Sequence, residues 1–257
     1  MCFSQLSLKP ELLSNLSSLG YDNMTPIQAQ SLPQILKGKD VIAQAKTGSG
    51  KTAAFGLGVL QNLNVKRFRI QAMVLCPTRE LADQVAKEIR KLARGIHNIK
   101  VLTLCGGVPM GPQIGSLEHG AHIIVGTPGR ILDHLDRGRI NLQEMNTLVL
   151  DEADKMLEMG FQDAIDAIIE EAPVERQSLL FSATFPEQIN WIAGKVLKEP
   201  VNVKVDGTES HSSIEQTFFR VEDQQHKLDV TRALLLQYQP ESCVVFCNTK
   251  QATFEVS

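Results

Sequence analysis

Two short stretches carry residue types that can do chemistry on a phosphate. The first, A-K-T-G-S-G-K-T, comprises Ala45, Lys46, Thr47, Gly48, Ser49, Gly50, Lys51 and Thr52. It fits the phosphate-loop pattern G-x-x-x-x-G-K-[ST] with alanine in first place. Gly48 and Gly50 let the backbone turn tightly, so that several N–H groups point inward at phosphate oxygens. A helix opening near Lys51 adds its positive dipole end. Lys51 supplies a point charge for the β and γ phosphates, and the Thr52 hydroxyl can ligate Mg2+. The bland alternative is a glycine-rich strand-to-helix turn. Lysine, hydroxyl and strand–loop–helix context together favour a nucleoside triphosphate.

The second stretch, LVLDEADKML at 148–157, places Asp151, Glu152 and Asp154 within four residues. Nothing in the run neutralises them. Ligands of parallel sheets bind beyond the carboxyl ends of the strands, so a divalent cation held by Thr52 and phosphate would offset the repulsion. Asp151 is then the magnesium partner. Glu152 is the candidate general base, or the group that orients an attacking water. Asp154 is expected to hydrogen-bond a neighbouring element. An acidic helix start favoured by the macrodipole is the competing explanation, and beside a phosphate loop it is the lesser one.

The elements that must position these residues are legible as alternating short apolar runs and longer helical patterns. DVIAQ (40–44), AMVLCP (72–77), VLTLC (101–105), HIIVGT (122–127), TLVLD (147–151), SLLFSAT (178–184) and VNVKV (201–205) are continuous apolar runs, as parallel strands covered on both faces require. In MTPIQAQSLPQILKGKD, Thr25 can cap, Pro26 fits the first helical position, and Gly38 follows the last turn. PTRELADQVAKEIRKLARG and TPGRILDHLDRG repeat that logic. The fold class is α/β, a doubly wound parallel sheet. A domain is expected over 1–205 and a linker at the polar run DGTESHSS (206–213). The beginning of a second α/β unit follows at 214–257: a strand at 214–221, a helix at 226–239, a strand at 242–248 and an opening helix at 249–257. That stretch is short for an ordinary α/β domain.

Of 257 residues, 43% are hydrophobic and 21% charged, enough for a real core. A net charge of -3 gives no global basic field, so a nucleic acid would be held by local helix ends and a few arginines. The start MCFSQLSLKPELL lacks the pattern of a signal peptide, and no apolar run approaches the roughly 20 residues that span a bilayer. Five scattered cysteines show no metal spacing and suit a reducing cytoplasm. Cys243 and Cys247 are expected in the core on one face of a strand. Trp191, at helical spacing with Ile189 and Ile192, is expected in the core too. The six histidines, without ligand spacing, are expected on the surface or as satisfied core groups.

Phosphate loop and D-E-A-D together resemble the DEAD-box RNA helicases, and the rest of the chain extends the likeness. GYDNMTPIQ (20–28) is similar to the family's adenine-reading Q motif, which implies that Tyr21 stacks on the base and Gln28 bonds its edge. Phe3 sits where the family has an upstream aromatic. PTREL, GG and TPGR imply RNA contacts by Thr78, Arg79, Gly106, Gly107, Thr127 and Arg130. SAT implies that Ser182 and Thr184 bond the Asp154 region and couple nucleotide state to RNA. VVFCNT (244–249) is similar to the start of the second domain's first RNA motif.

The likeness covers essentially the whole chain and is greatest to the family's bacterial DbpA group. It implies a RecA-like fold, ATP and Mg2+ as cofactors, RNA held by its backbone, no membrane, no structural metal, and a role in ribosomal RNA metabolism. The family's second RecA-like domain carries arginines that reach the triphosphate. These are absent from this sequence. Such arginines contribute about 10³–10⁵ in rate, so a chain without them is expected to bind nucleotide and turn it over poorly. Two other readings differ in class: a non-catalytic nucleotide- and RNA-binding module, and a phosphate-loop enzyme unrelated to RNA. Gln28→Ala separates the last: loss of adenine-over-guanine preference in nucleotide binding is expected of the helicase, and an unchanged preference of the unrelated enzyme.

Overall fold

The computed structural model describes residues 1–205 and 215–257, and the chain divides into two compact units, Met1–Gly207 and Thr208–Ser257. The expected linker, 206–213, falls wholly outside the described residues. The first unit runs α1 (Pro10–Ser18), α2 (Pro26–Leu36), β1 (Val41–Gln44), α3 (Lys51–Asn62), β2 (Ala72–Leu75), α4 (Arg79–Leu92), β3 (Val101–Leu104) and α5 (Gly111–Glu118). It continues with β4 (Ile123–Gly126), α6 (Pro128–Asp136), β5 (Thr147–Asp151), α7 (Ala153–Glu158), α8 (Gln162–Glu171), β6 (Gln177–Ser182), α9 (Glu187–Val196) and β7 (Val201–Lys204). All strand pairs are parallel, in the order β3-β4-β2-β5-β6-β1-β7. This is the RecA-like α/β fold.

The apolar runs are continuous because helices cover both faces. Val74, Val149, Leu179 and Phe181 join Phe55 and Ile89 on one side of the sheet. Their neighbours Met73, Leu75, Leu148, Leu150 and Leu180 join Ile131, Ile165 and Ile192 on the other. Strand periodicity of two therefore splits each run between two cores.

Parallel pairing also gathers every loop of interest at one rim. The phosphate loop follows β1, the acidic run ends β5, and S-A-T begins at the last residue of β6; these strands are neighbours. P-T-R-E-L follows β2, the glycine pair follows β3, and T-P-G-R follows β4, a second neighbouring trio. At the end of β4, Gly126 is forced by crowding, since a Cβ there would lie 2.1 Å from the Leu104 carbonyl oxygen.

The second unit departs from expectation. Its helices α10 (Gln224–Tyr238) and α11 (Lys250–Val256) form, capped by Asp223 and Thr249. The strands expected at 214–221 and 242–248 do not: described residues 215–221 and 243–247 have no ladder partner. A strand exists only as part of a ladder, so an apolar run with β propensity stays irregular without one. Cys243 is consequently exposed and Cys247 half-buried, rather than sharing a buried strand face.

Trp191 also differs: it is 54% exposed, with the Lys195 ammonium 5.2 Å from its ring. On α9 the core stripe is Ile189, Ile192, Ala193 and Val196, and position 191 lies about 200° round from 189. Among histidines, buried His122 has both ring nitrogens bonded, whereas buried His134 has only Nε2 satisfied. Among the described residues no helix is long and apolar enough to cross a membrane.

At the opposite end of the sheet, buried Asp40 ties three strands. Its carboxylate accepts from the amides of Ser178 (2.8 Å) and Lys198 (2.7 Å), and its carbonyl accepts from Val201. Asp40→Ala strands two donors, and a loss of roughly 2–4 kcal/mol in urea-unfolding free energy is expected; a loss below about 1 kcal/mol would mean that water replaces the carboxylate freely.

Candidate active site

The phosphate loop depends on its glycines in two ways. Gly48 and Gly50 adopt φ of +81° and +94°, where side chains are strained, and a Cβ on Gly50 would lie 2.5 Å from Gln28 Nε2. Lys51 opens α3 and is buried, its ammonium donating to the Ala45 carbonyl at 2.8 Å across the loop. No side chain caps α3, so its first N–H groups remain for an anion. Gln28 locks this loop to α2: its Oε1 accepts from the Thr25 amide at 2.9 Å and its Nε2 donates to the Gly50 carbonyl at 3.0 Å. One lone pair and one N–H of the carboxamide are left over by these two bonds.

Asp151 ends β5 inside the protein, its Oδ1 accepting from the Glu152 amide at 3.1 Å. Burial pushes its carboxyl up to about 6; Lys51 opposes that shift and Glu152 adds to it. Glu152 sits at φ +52°, in the left-handed region, as the residue preceding α7. Both its oxygens are engaged: Thr47 Oγ1 donates to Oε1 at 3.2 Å and Lys155 Nζ to Oε2 at 2.8 Å. Asp154 turns away, as expected, and Oδ2 accepts from the Thr184 amide (2.9 Å) and hydroxyl (2.8 Å). Ser182 Oγ accepts from the Asp154 amide at 3.3 Å and donates to the Thr184 carbonyl at 2.8 Å. Burial favours the protonated acid at Asp154, but the Thr184 and Ser182 bonds overcome it and hold this carboxyl below the usual range.

Tyr21, Gln28, Lys51, Thr52, Asp151 and Glu152 line one cleft of about 410 Å³. Tyr21 is fixed by Phe3, edge-on at 6.3 Å, by Lys91 at 5.0 Å over the ring, and by a 2.7 Å bond to Glu88. A buried carboxylate of raised pKa, a threonine hydroxyl lining the same cleft and an uncapped helix start suit a hydrated magnesium bound to phosphate. Ala45, Lys46 and Ser49 complete the loop; the Ser49 hydroxyl donates to the Lys46 carbonyl at 2.8 Å.

Along the rim, the second set also assembles, with different duties for its two threonines. Thr78 Oγ1 accepts from the Leu81 amide at 3.2 Å and so caps α4, while Arg79 reaches Asp83 at 3.8 Å. Thr127 leaves its own helix uncapped and accepts instead from the Gly106 amide at 3.2 Å. Arg130 Nη2 donates to the Val108 carbonyl at 3.1 Å, and its Nη1 is buried without a partner. Gly107 needs its φ of +74°, but Gly106 and Gly129 have ordinary φ and open space at Cβ.

Sequence reading missed two contributors to the cleft and one anchor at the far end of the sheet. Lys155 stands three residues after Glu152, a helical pairing visible in the spacing. Glu88 and Asp40 carried no local signal, because their partners lie 67 and 138 residues away.

Comparison with known proteins then decides the family. Residues 25–192 match the model of the DEAD/DEAH box helicases. The chain belongs to that family. It is 58% identical to the ATP-dependent RNA helicase DbpA of Escherichia coli K12 over 97% of this chain and 54% of the relative. It is 44% identical to the DEAD-box ATP-dependent RNA helicase CshA of Geobacillus kaustophilus, over 99% of this chain and 54% of that one. The chain thus spans about half the length of these curated relatives. Among solved structures, a DEAD box protein from the hyperthermophile Methanococcus jannaschii is 38% identical with a TM-score of 0.76, covering 100% of this chain and 69% of that one. S. cerevisiae Dbp5 bound to RNA and ADP BeF3 is 30% identical with a TM-score of 0.86, covering 99% and 65%.

In this DEAD-box chain the raised carboxyl of Asp151 has a measurable consequence. Its folded-state pKa of about 6 exceeds the ordinary 3.8, so its contribution to stability is full at low pH and lost as pH rises through about 6. In magnesium-free buffer Asp151→Asn is expected to stabilise the chain by roughly 2–3 kcal/mol above that point. The gain shrinks as pH falls toward about 4. Denaturant titrations at pH 8 and pH 4.5 check this, and a pH-independent difference would contradict it.

Proposed function

We propose that this chain is the ATP- and RNA-binding half of an RNA-remodelling ATPase, holding Mg2+-ATP at 45–52 and the RNA backbone along the adjoining rim. The observation that carries the reading is the shared rim: β5, β6 and β1 present the phosphate loop and carboxylates, while β3, β4 and β2 present the threonines, glycines and arginines. Gly106 and Gly129 strengthen the second half. Neither φ nor crowding requires glycine there, and a bare backbone admits close approach of a sugar–phosphate chain.

In this reading Lys51 exchanges the Ala45 carbonyl for phosphate oxygens, and the amides opening α3 bind the same group. Thr52 and Asp151 would hold magnesium, which screens phosphate charge and orients the group. Glu152 keeps Oε2 on Lys155 and frees Oε1 from Thr47 to accept a proton from, or orient, the attacking water. Tyr21 and Gln28 bind adenine by stacking and by the remaining amide groups. Ser182, Thr184 and Asp154 couple the two halves of the rim. Contacts to phosphate and ribose hold a strand without reading its sequence.

A binding module with weak turnover is supported by one feature: among the described residues lining the cleft, Lys51 is the sole cation. A helicase phosphate site ordinarily gains its largest rate factor from an arginine. Resemblance to the DbpA group extends the proposal to ribosomal RNA, and the free cysteines fit a cytoplasmic site of action.

The test is Mg2+-ATP binding and turnover by the 257-residue chain, with and without single-stranded RNA. Binding that Lys51→Ala weakens at least tenfold, with little RNA-stimulated turnover, is expected. Robust stimulated turnover would overturn the weak-turnover part, and absence of nucleotide binding would overturn the proposal itself.

A further inference from the structure

The loop after β3, Cys105–Met110, carries the glycine pair yet has no strand or helix of its own. Side chains hold it instead, and most come from one face of α6. Thr127, Arg130 and His134 stand at positions 0, 3 and 7 of a helical stripe. Thr127 fixes the Gly106 amide and Arg130 the Val108 carbonyl. His134 reaches the carbonyl end of the same Cys105–Gly106 peptide at one remove: its Nε2 lies 3.2 Å from Gln113 Oε1, and Gln113 Nε2 donates to the Cys105 carbonyl at 3.0 Å. Arg139 closes the far end on the Met110 sulfur.

The direction of this relay follows from chemistry. A carbonyl only accepts, so the Gln113 amide nitrogen faces Cys105 and its oxygen faces His134. His134 must then donate from Nε2. Burial, then the charges of Arg139 and Arg130, lowers its pKa and favours the neutral ring. His134 is 0% and Gln113 8% exposed, so water does not substitute readily for either bond. The sheet does not need the pair: α6 is seated by buried Ile131, and β3 is held by its ladder to β4. An apolar contact would fill the same space without fixing any peptide's orientation.

We propose that His134 and Gln113 are positioning residues for RNA binding, a buried relay that sets the Cys105 peptide and so aims the Gly106–Gly107 backbone at the strand. The inference rests on the RNA-binding half of the function proposed above. Neither residue touches RNA; both act through the loop.

The test measures single-stranded RNA affinity by fluorescence anisotropy, Mg2+-ATP affinity, and amide exchange at 105–110, in the full chain. His134→Leu and Gln113→Leu are each expected to weaken RNA binding about tenfold. The double variant is expected to be no worse than either single one, because the relay is already broken. Mg2+-ATP affinity stays at the wild-type value, and His134→Gln, which keeps a donor, recovers most of the loss. Unchanged RNA affinity in both single variants, multiplicative losses in the double, or a parallel fall in nucleotide affinity would each overturn the relay. Absence of RNA binding by the wild-type chain defeats the RNA reading instead. Exchange at Gly106 then judges the relay alone: acceleration in both variants supports it, and no change rejects it.

Discussion

The parallel ladder from β5 through β6 to β1 is the constraint on which the rest depends. Its register sets Asp151 beside Phe181 and Gln44 beside Ser182. Three loops that are distant in sequence therefore leave the sheet at one level. A parallel strand cannot return by a hairpin, so each is followed by a crossover helix, and those helices seal both faces. Sealing is what buries Asp151 and Lys51, and burial gives their charges a strength they would lack in water. A slip of one residue in this ladder would turn Asp151 to the other face.

The carboxylates of the acidic run illustrate how burial divides labour among like groups. Asp151 has little compensation and is driven toward its neutral form. Asp154, three residues on, is satisfied by Thr184 and Ser182 and stays ionised. Glu152 lies between, engaged from both sides by side chains that can let go. Its left-handed backbone departs from what an L-residue prefers by roughly 1–2 kcal/mol, and the flanking strand and helix hold it there.

Much of this was legible in the sequence because the first unit is locally consistent. Continuous apolar runs announced a covered sheet, Thr25–Pro26 and Thr78 announced helix starts, and G-S-G-K-T announced the loop that follows β1. What escaped was set by distance or by missing partners. Nothing near Gln113 says that it will meet His134, and the engagement of Glu88 with Tyr21 exists only after α4 packs. Trp191 shows the limit of counting spacing without phase: it neighbours two core isoleucines in sequence and faces away from both. CVVFC has the composition of a strand, but pairing, not composition, makes one.

The internal bond of Lys51 bears on ligand exchange. When a bound phosphate departs, the ammonium has the Ala45 carbonyl 2.8 Å away to return to, so the emptied loop never holds a buried cation without a partner. The same carbonyl competes with an arriving nucleotide. A loop with such a resting contact gives up some tightness of grip on an anion and releases it more readily than a loop whose lysine has nowhere to return.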